Sequence, residues 1–216
     1  MIHILFYLIC IGVPSSSVVK NYPPRLYKAG KSPIHKHSRN HYSTMSNLSK
    51  VRHELGDDVW SYLLDSSIGV FAKFFDLSFT WAAERAHYFL VNQLLVDDAH
   101  EIWSLIDDQP LRFSLHEYTA FTGLNCDPIK TSEVCTLRHE EFWMEMGIST
   151  AIGPTYEELV KVIARSHLWH FDKRLMVAQL CFHYVMVFGI HKGSRIPLET
   201  AKRVLDKEAF EKHPWG

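Results

Sequence analysis

The sequence is poor in the residues that define disulfide-rich, disordered or fibrous proteins. Four cysteines, 9 prolines and 10 glycines occur in 216 residues, and 47% of the chain is apolar. Small secreted scaffolds have dense, even cysteine patterns, so this spacing indicates reduced thiols in an intracellular protein. The composition predicts a globular chain with a hydrophobic core.

Sequence motifs of the common enzyme classes are absent. The chain contains no Gly-x-Ser-x-Gly, Gly-x-x-x-x-Gly-Lys-Ser/Thr, Gly-x-Gly-x-x-Gly or His-Glu-x-x-His. Acyl transfer, nucleotide hydrolysis, dinucleotide redox chemistry and zinc proteolysis therefore lose their best sequence support. We expect a protein that is not an enzyme, with no catalytic residues, no metal and no cofactor.

Negative charge is absent from the first quarter of the chain. Residues 1–53 contain eight Lys or Arg and no Asp or Glu, whereas the remainder contains 15 basic and 24 acidic side chains. Such an asymmetry can bind polyanions, but a basic segment can equally fold back on an acidic body. We favour the second interpretation and expect weak, sequence-independent nucleic-acid binding at most. The eight cations are Lys20, Arg25, Lys28, Lys31, Lys36, Arg39, Lys50 and Arg52.

An apolar run from Met1 to Val13 precedes Pro14 and three serines. It resembles the h-region of a signal peptide, but it lacks a basic n-region and is shorter than the ~20 residues of a membrane-spanning helix. We interpret residues 1–20 as a leader or appendage and expect no transmembrane span and a location in the nucleus or cytoplasm. Secretion is the alternative, and Asn47 in Asn47-Leu-Ser49 would then be a glycosylation acceptor.

Proline and glycine interrupt residues 21–45, which predicts a basic, extended N-terminal arm. Beyond the arm, apolar residues at helical spacing predict a mainly α, compact domain over residues 46–216. Helices are predicted from Ser46 to Gly56, from Asp57, over Val70 to Phe75, from near Thr80, around Glu140 to Met146, from a capping box at Thr155, over Leu175 to Ile190, and last from Pro197.

One stretch departs from the helical pattern and predicts a small β-hairpin. Ile102–Ile106 is a short apolar run, Asp107–Pro110 has the composition of a turn, and Leu111–Phe113 alternates apolar and polar residues. Ser114 and Glu117 then form a capping box, which begins a short helix that Gly123 can end.

Fourteen histidines raise the question of a metal site. The candidate groups are His35 with His37 and His41, His167 with His170 and Asp172, and Cys126 with Cys135 and His139. The first group lies in the basic arm without a Cys or carboxylate nearby, and the third lacks a Cys-x-x-Cys pair. In the second group we interpret Asp172 as a helix N-cap, with the histidines on either side of a turn.

For nucleophilic catalysis, the candidate pair is Cys126 as nucleophile and His116 as base. No residue in the sequence is placed to orient the base, and a Cys just after a helix is more often a small buried hydrophobe. Three acidic pairs are better explained as helix caps and turn residues than as acid/base groups. They are Asp57-Asp58, Asp97-Asp98 and Asp107-Asp108.

Three segments together resemble one plant family. They are Tyr22-Pro-Pro-Arg-Leu-Tyr-Lys-Ala-Gly30, the stretch from Trp103 to Cys126 with its Pro-Leu-Arg-Phe-Ser-Leu-His-Glu and Thr-Gly-Leu-Asn-Cys motifs, and His213-Pro-Trp-Gly216. The family is a domain of unknown function found N-terminal to Ulp-type, SUMO-protease-like cysteine peptidase domains in transposon-derived plant proteins. The resemblance runs from about Tyr22 to the last residue and leaves Met1–Lys20 outside.

The resemblance implies no catalytic residues, because the family has no established activity. A Ulp-type site would need a Cys beside Gly, but Cys126 is followed by Asp127, and neither Cys135 nor Cys181 has a Gly neighbour. We expect a non-catalytic interaction or accessory module with an unknown protein partner, a solitary or truncated copy that lacks the peptidase. The alternatives are a nucleic-acid-binding module that uses the arm, and a secreted or membrane-associated protein through residues 1–17.

Overall fold

The computed structural model describes residues 21–28, 31–32, 46–78, 83–129, 138–149, 152–191 and 193–216. These residues are mainly helical, with one two-stranded antiparallel hairpin, which confirms the predicted fold class. The boundaries predicted at residues 20 and 45 lie outside the described ranges and stay predictions. The elements are α1 (Ser46–Leu55), α2 (Asp57–Asp65), α3 (Gly69–Asp76), α4 (Ala83–Val91), β1 (Glu101–Ile106), β2 (Gln109–Ser114), α5 (Leu115–Thr122), α6 (Glu140–Met146), α7 (Tyr156–Ile163), α8 (Phe171–Phe182), α9 (Leu198–Ala201) and α10 (Lys207–Lys212).

The chain forms two compact units that interleave along the sequence. Unit 1 contains residues 1–40, 81–123 and Gly216, and unit 2 contains residues 41–80 and 124–215. The hairpin, α4 and α5 therefore belong to unit 1, and the other helices belong to unit 2. Within the described ranges, no helix combines the length and apolarity that crossing a bilayer requires.

The hairpin of unit 1 reverses through two residues. Asp107 and Asp108 have φ values of 45° and 59°, in the left-handed region that two-residue hairpin turns require and that Asp tolerates. Gln109 and Pro110 belong to β2, where Pro110 faces Leu105. The prediction of a turn over Asp107–Pro110 is wrong at these two residues, because two positive φ angles already reverse the chain.

Phe89 of α4 forms the core of unit 1 against one face of the hairpin. It is 2% exposed, and the Ser104 hydroxyl donates a 2.8 Å hydrogen bond to its carbonyl oxygen. The strand residues that contact it alternate along the chain, as the period of a strand requires. They are Ile102, Ile106, Leu111 and Phe113.

The described part of the predicted arm pairs with the rest of unit 1 through one isolated β-bridge. Arg25 forms an antiparallel bridge with Leu94, flanked by two backbone hydrogen bonds of 2.8 Å. The Arg25 guanidinium donates to Oδ1 of Asn92, so this cation binds within its own unit. Pro23 and Pro24, which have no backbone N–H to donate, suit a segment that pairs along one side only.

α8 is the buried centre of unit 2 and packs against α1, α2 and α7. It continues into a π-helical segment, His183–Phe188, which Gly189 ends with a φ of 55°. Together they cover the predicted Leu175–Ile190 helix as far as Phe188, although the helix begins earlier, at Phe171. The two polar residues of that stretch are also buried, since Gln179 is 1% exposed and His183 is 0% exposed.

Two helix starts differ from the predictions. His170 is the N-cap of α8, and Asp172 lies in its first turn; the interpretation of Asp172 as the cap is wrong because the backbone becomes helical at Phe171. Pro197 is the N-cap of α9 and not its first residue, because its ψ of 133° is extended.

The C-terminal region contains a helix that the sequence analysis does not predict. After α9 and a 3₁₀ segment, Lys202–Leu205, the chain forms α10. Asp206 begins this helix by accepting a 2.9 Å hydrogen bond from the backbone N–H of Ala209. The helix predicted near Thr80 is described from Ala83 onwards, and Thr80 itself lies outside the described residues.

Arg174 joins α8 to the adjoining ends of α1 and α2. Its guanidinium donates to both carboxylate oxygens of Asp58, at 2.8 and 2.6 Å, and to the carbonyl oxygen of Leu55. The hydrogen bonds from Arg174 hold the pKa of Asp58 below its usual value. Gly56 lies between the two helices with φ 94° and ψ 156°, a region that almost only glycine occupies. A Cβ there would lie 2.7 Å from Oδ1 of Asp58 and 2.8 Å from Nη1 of Arg174.

We predict that Gly56→Ala lowers the free energy of unfolding by about 2–4 kcal/mol, because the new methyl group would crowd this ion pair at a backbone conformation that alanine avoids. Urea denaturation followed by circular dichroism measures the loss. Gly147→Ala is the matched control, since its φ is 69° but the nearest atom to a Cβ is 3.5 Å away. It should cost about 1 kcal/mol. Equal losses in the two variants would contradict the crowding argument.

Candidate functional site

The predicted capping box at the start of α5 is present. The Glu117 carboxylate accepts a 2.9 Å hydrogen bond from the backbone N–H of Ser114. The Ser114 hydroxyl in turn accepts from the first backbone N–H groups of the helix, including that of His116 at 3.1 Å. These bonds satisfy helix-end groups that have no partner within the helix.

Arg112 binds the same carboxylate and ties α5 to the hairpin. Its Nε donates to Oε1 of Glu117 at 3.0 Å, and its Nη1 donates to Oε1 of Glu101 at 3.3 Å. The guanidinium lies 5.9 Å from the centre of the Trp103 ring, whose Nε1 donates to Oε2 of Glu101 at 2.8 Å. Although burial raises the pKa of Glu117, the hydrogen bonds from Ser114 and Arg112 outweigh it and leave that pKa below its usual value.

The Thr-Gly-Leu-Asn-Cys motif begins by ending α5. The Thr122 hydroxyl donates a 2.7 Å hydrogen bond to the carbonyl oxygen of Tyr118, one turn earlier. Gly123 follows with a φ of 68°, the left-handed conformation that ends many helices. Leu124 is 1% exposed. The motif therefore fixes the backbone after α5.

The candidate nucleophile and base fall in different units. His116 is exposed in unit 1, and Cys126 is half-buried in unit 2. The Cys126 thiol lies 3.6 Å from the carbonyl oxygen of Leu124, its one hydrogen-bond partner among the described residues. The neighbouring Asn125 side chain accepts from the backbone N–H of Asp127 at 2.8 Å, which is the geometry of an Asx turn.

The metal candidates have three different outcomes. His35, His37, His41 and Cys135 lie outside the described residues. His167 and His170 are exposed on the turn before α8, and His139 is buried with its ring 6.1 Å from that of Trp143. In the part of the chain that the structure describes, no three His, Cys, Asp or Glu side chains come together to hold a metal ion.

The candidate glycosylation acceptor lies at the beginning of α1. The carbonyl oxygen of Asn47 accepts a 3.2 Å hydrogen bond from the hydroxyl of Tyr156 on α7. The next residue, Leu48, is 0% exposed. In the folded chain this sequence therefore contributes to helix packing.

The second predicted capping box is also present, and again an arginine binds its glutamate. Thr155 and Glu158 exchange hydrogen bonds of 2.8 and 3.2 Å. Arg195 donates to Oε2 of Glu158 at 2.9 Å and to the carbonyl oxygen of Gly153 at 2.9 Å. No local sequence pattern indicates Arg195, because 37 residues separate it from Glu158.

The terminal His-Pro-Trp-Gly motif covers a buried histidine. The Trp215 indole N–H donates a 2.8 Å hydrogen bond to the carbonyl oxygen of Phe210, and its ring lies 4.3 Å from that of His183. His213 packs 4.3 Å from Trp215. Burial, assisted by the neighbouring His213, lowers the pKa of His183 from 6.5 to about 3. The sequence signal for this site is a polar residue, His183, within an otherwise apolar helix.

A cleft of about 470 Å³ lies beside Arg52 and Phe75, bordered by α1 and the start of α2. Arg52 pairs with Asp76 at 2.9 Å, and its guanidinium lies 5.4 Å from the centre of the Trp60 ring. Its charge is therefore already compensated within unit 2. The remaining lining residues are Ser49, His53, Gly56 and Asp57.

The turn before α8, which we call the Leu168 turn (residues 166–170), exposes a large apolar side chain on a fixed backbone. Leu168 is 83% exposed. Below it, the hydroxyl of buried Ser166 donates to the carbonyl oxygen of Ile163 at 2.8 Å. The carbonyl oxygen of Trp169 accepts from Nε of Arg174 at 3.2 Å, the same arginine that binds Asp58.

We predict that Glu117→Ala lowers the free energy of unfolding by about 1–2 kcal/mol, because α5 loses its capping box. The control is Glu84→Ala, in the first turn of α4, which should change it by less than about 0.5 kcal/mol. Urea titrations at several pH values measure both. Because its pKa is lowered on folding, Glu117 stabilises the fold above the ordinary carboxyl range, and this contribution is lost as pH falls through the folded value. Glu117→Gln should lack that acid dependence, and a wild-type dependence in this variant would contradict the assignment.

The comparison with known proteins gives one family. The family model described as domain of unknown function DUF1985 matches residues 90–216, which is more than half of the chain. The match includes the hairpin, both capping boxes and the terminal His-Pro-Trp-Gly motif. No curated protein and no solved structure matches. The chain therefore belongs to the DUF1985 family, a domain of unknown function.

Proposed function

We propose that this chain is a non-catalytic protein-interaction module, and that the Leu168 turn is its docking surface. The exposure of Leu168 on a fixed turn carries the proposal, since 83% of this side chain is accessible. Three polar side chains of the Arg-Phe-Ser-Leu-His-Glu motif, by contrast, have their partners within unit 1, so they are weaker candidates for a docking surface. Arg112, Ser114 and Glu117 bind one another, so they serve the fold of unit 1.

Leu168 suits binding because its backbone is already ordered. Fully burying a leucine side chain contributes about 1.5–3 kcal/mol. Association normally loses part of such a gain to the ordering of loops, and a preformed turn reduces that loss. Ser166 and Trp169 hold the turn through hydrogen bonds to Ile163 and Arg174, so Leu168 is presented in one position.

The charges around the turn indicate the chemistry of the partner. From Leu159 to Phe171 the sequence has no Asp or Glu. It contains four basic or titratable side chains, namely Lys161, Arg165, His167 and His170. A complementary partner presents an apolar pocket for Leu168 with carboxylates at its rim, since opposite charges favour encounter and fix orientation.

We predict that Leu168→Gln weakens partner binding about 10- to 100-fold, the equivalent of one buried leucine. The tagged chain is used to capture proteins from plant nuclear extract, and the binding of each purified candidate is then titrated. Leu77→Gln is the matched control, because Leu77 is 67% exposed in the same unit. Equal binding by Leu168→Gln and the wild type, or an equal loss in Leu77→Gln, would show that the turn is not the docking surface.

The cellular setting of the proposal follows from the family resemblance. We propose that the module works beside a Ulp-type peptidase domain in transposon-derived plant proteins, in the nucleus or the cytoplasm. In that setting it would position the peptidase or its substrate.

The absence of catalysis is part of the proposal. Burial raises the pKa of the Cys181 thiol, which disfavours the reactive thiolate. The half-buried Cys126 thiol is near a backbone carbonyl oxygen, which can accept a hydrogen bond but does not activate a nucleophile.

We predict that a SUMO vinyl sulfone probe does not label the chain, because the Cys126 thiol has a carbonyl oxygen and no base as its hydrogen-bond partner among the described residues. Gel shift and mass spectrometry measure labelling. Iodoacetamide is the positive control for thiol access, and Cys126→Ser is the matched variant. Probe labelling that disappears in Cys126→Ser would reveal a catalytic cysteine.

Nucleic-acid binding through the arm is the alternative function. Lys28 and Lys31 are exposed, which favours it. Arg25 is instead bound to Asn92 and paired with Leu94, so its side chain could reach a phosphate only if these contacts broke. We therefore rank nucleic-acid binding below protein binding, and secretion through the apolar leader third.

A further inference from the structure

His183 has the environment of an apolar residue. It is 0% exposed, and neither ring nitrogen has a hydrogen-bond partner among the described residues. Its ring centre lies 4.3 Å from that of Trp215, 5.3 Å from Phe210 and 6.5 Å from Phe188. Buried polar groups are normally hydrogen-bonded, so this arrangement is unusual. His183 is also the first residue of a π-helical segment, and such segments are often found at functional sites.

This environment accommodates only the neutral imidazole. A cation at His183 would be surrounded by aromatic rings and would lose its hydration. Both burial and His213 lower the pKa of His183. Glu211 of α10 directs its carboxylate to the Tyr62 hydroxyl at 3.1 Å and to the backbone N–H of Ser67 at 2.6 Å.

The other elements packed against α8 also leave a charge on His183 uncompensated. The 3₁₀ segment Lys202–Leu205 contributes a buried cation, Arg203. Asp58 of α2 is bound by Arg174, and Glu158 of α7 is bound by Arg195. Among the described residues, His213 is the neighbour whose charge acts on the pKa of His183, and it opposes protonation.

Of the three aromatic rings around His183, the ring of Trp215 can be displaced with the least disturbance of a helix. Phe210 lies on α10 and Phe188 on the π-helical segment, so moving either ring would disturb a helix. Trp215 lies on the non-helical segment 213–216, which follows α10. Its indole is 8% exposed, so its displacement would bring water directly to His183.

We propose that residues 213–216 form an acid-sensitive latch, in which protonation of His183 displaces Trp215 and exposes the aromatic face formed by Phe188 and Phe210. The latch is closed when His183 is neutral and open when it is charged. Opening changes an apolar contact within unit 2 into an accessible aromatic surface.

The direction of the effect follows from proton linkage. In the proposed open state, water would return the pKa of His183 to the ordinary histidine value of 6.5, whereas burial in the closed state lowers it to about 3. The open state therefore binds more protons between these values, and the closed state loses stability as pH falls below 6.5. From pH 7 to pH 5 the ratio of open to closed molecules should rise about 25-fold through His183 alone.

Fluorine NMR of the full chain labelled with 5-fluorotryptophan tests the proposal. The signal of Trp215 is assigned by its absence in Trp215→Phe, and those of Trp60 and Trp143 by the same method. We expect the Trp215 signal to move towards its solvent-exposed position between pH 7 and pH 5. The signals of Trp60 and Trp143, which are 3% and 0% exposed, should stay unchanged.

The variants separate His183 from the other histidines. In His183→Phe, and in His183→Met as a second apolar replacement, the Trp215 signal should be independent of pH over this range. His53→Gln, at an exposed position on α1, should respond as the wild type does. A Trp215 signal that is constant in the wild type, that moves equally in the apolar variants, or that moves together with Trp60 and Trp143 would overturn the proposal.

Discussion

The ion pair between Arg174 and Asp58 is the constraint on which unit 2 depends. Arg174 is a residue of the central helix, yet its guanidinium binds the end of α1, the start of α2 and the carbonyl of Trp169. A single side chain thus links the adjoining ends of two helices to the Leu168 turn. The Asp58 side chain is 52% exposed, so solvent weakens the ion pair itself, and the carbonyl contacts of the less exposed Arg174 contribute the rest of the link.

Both capping boxes share one design, in which the helix-capping glutamate also binds an arginine from a neighbouring segment. Arg112 does so for Glu117 and Arg195 for Glu158. Each carboxylate therefore joins the start of a helix to a strand or loop. The motif residues that identify the family serve this architecture. For that reason, recognising the family does not locate a binding surface, and the exposed Leu168 lies within the matched residues 90–216 but outside the capping boxes.

Local sequence signals predicted the local structure well, and long-range pairing explains the omissions. Ser114 and Glu117 are three residues apart, so the capping box is visible in the sequence. α6, which Gly147 ends, matches its predicted bounds of Glu140–Met146. Arg174 and Asp58 are 116 residues apart, and no local pattern joins them. The π-helical segment and the burial of His183 likewise depend on packing by Phe210 and Trp215, which the periodicity of α8 does not encode. The assignment of Asp172 as a cap failed because His170 already occupies that position.

The interleaved order of the two units has a consequence for synthesis of the chain. Residues 41–80 of unit 2 leave the ribosome before residues 81–123, which belong to unit 1. At about 5–20 residues per second, Arg174 follows Asp58 by on the order of 10 seconds. During that interval the apolar faces of α1 and α2 lack α8, their central packing partner. The apolar faces of these helices therefore stay accessible to other chains until α8 has been made, which exposes the nascent chain to aggregation.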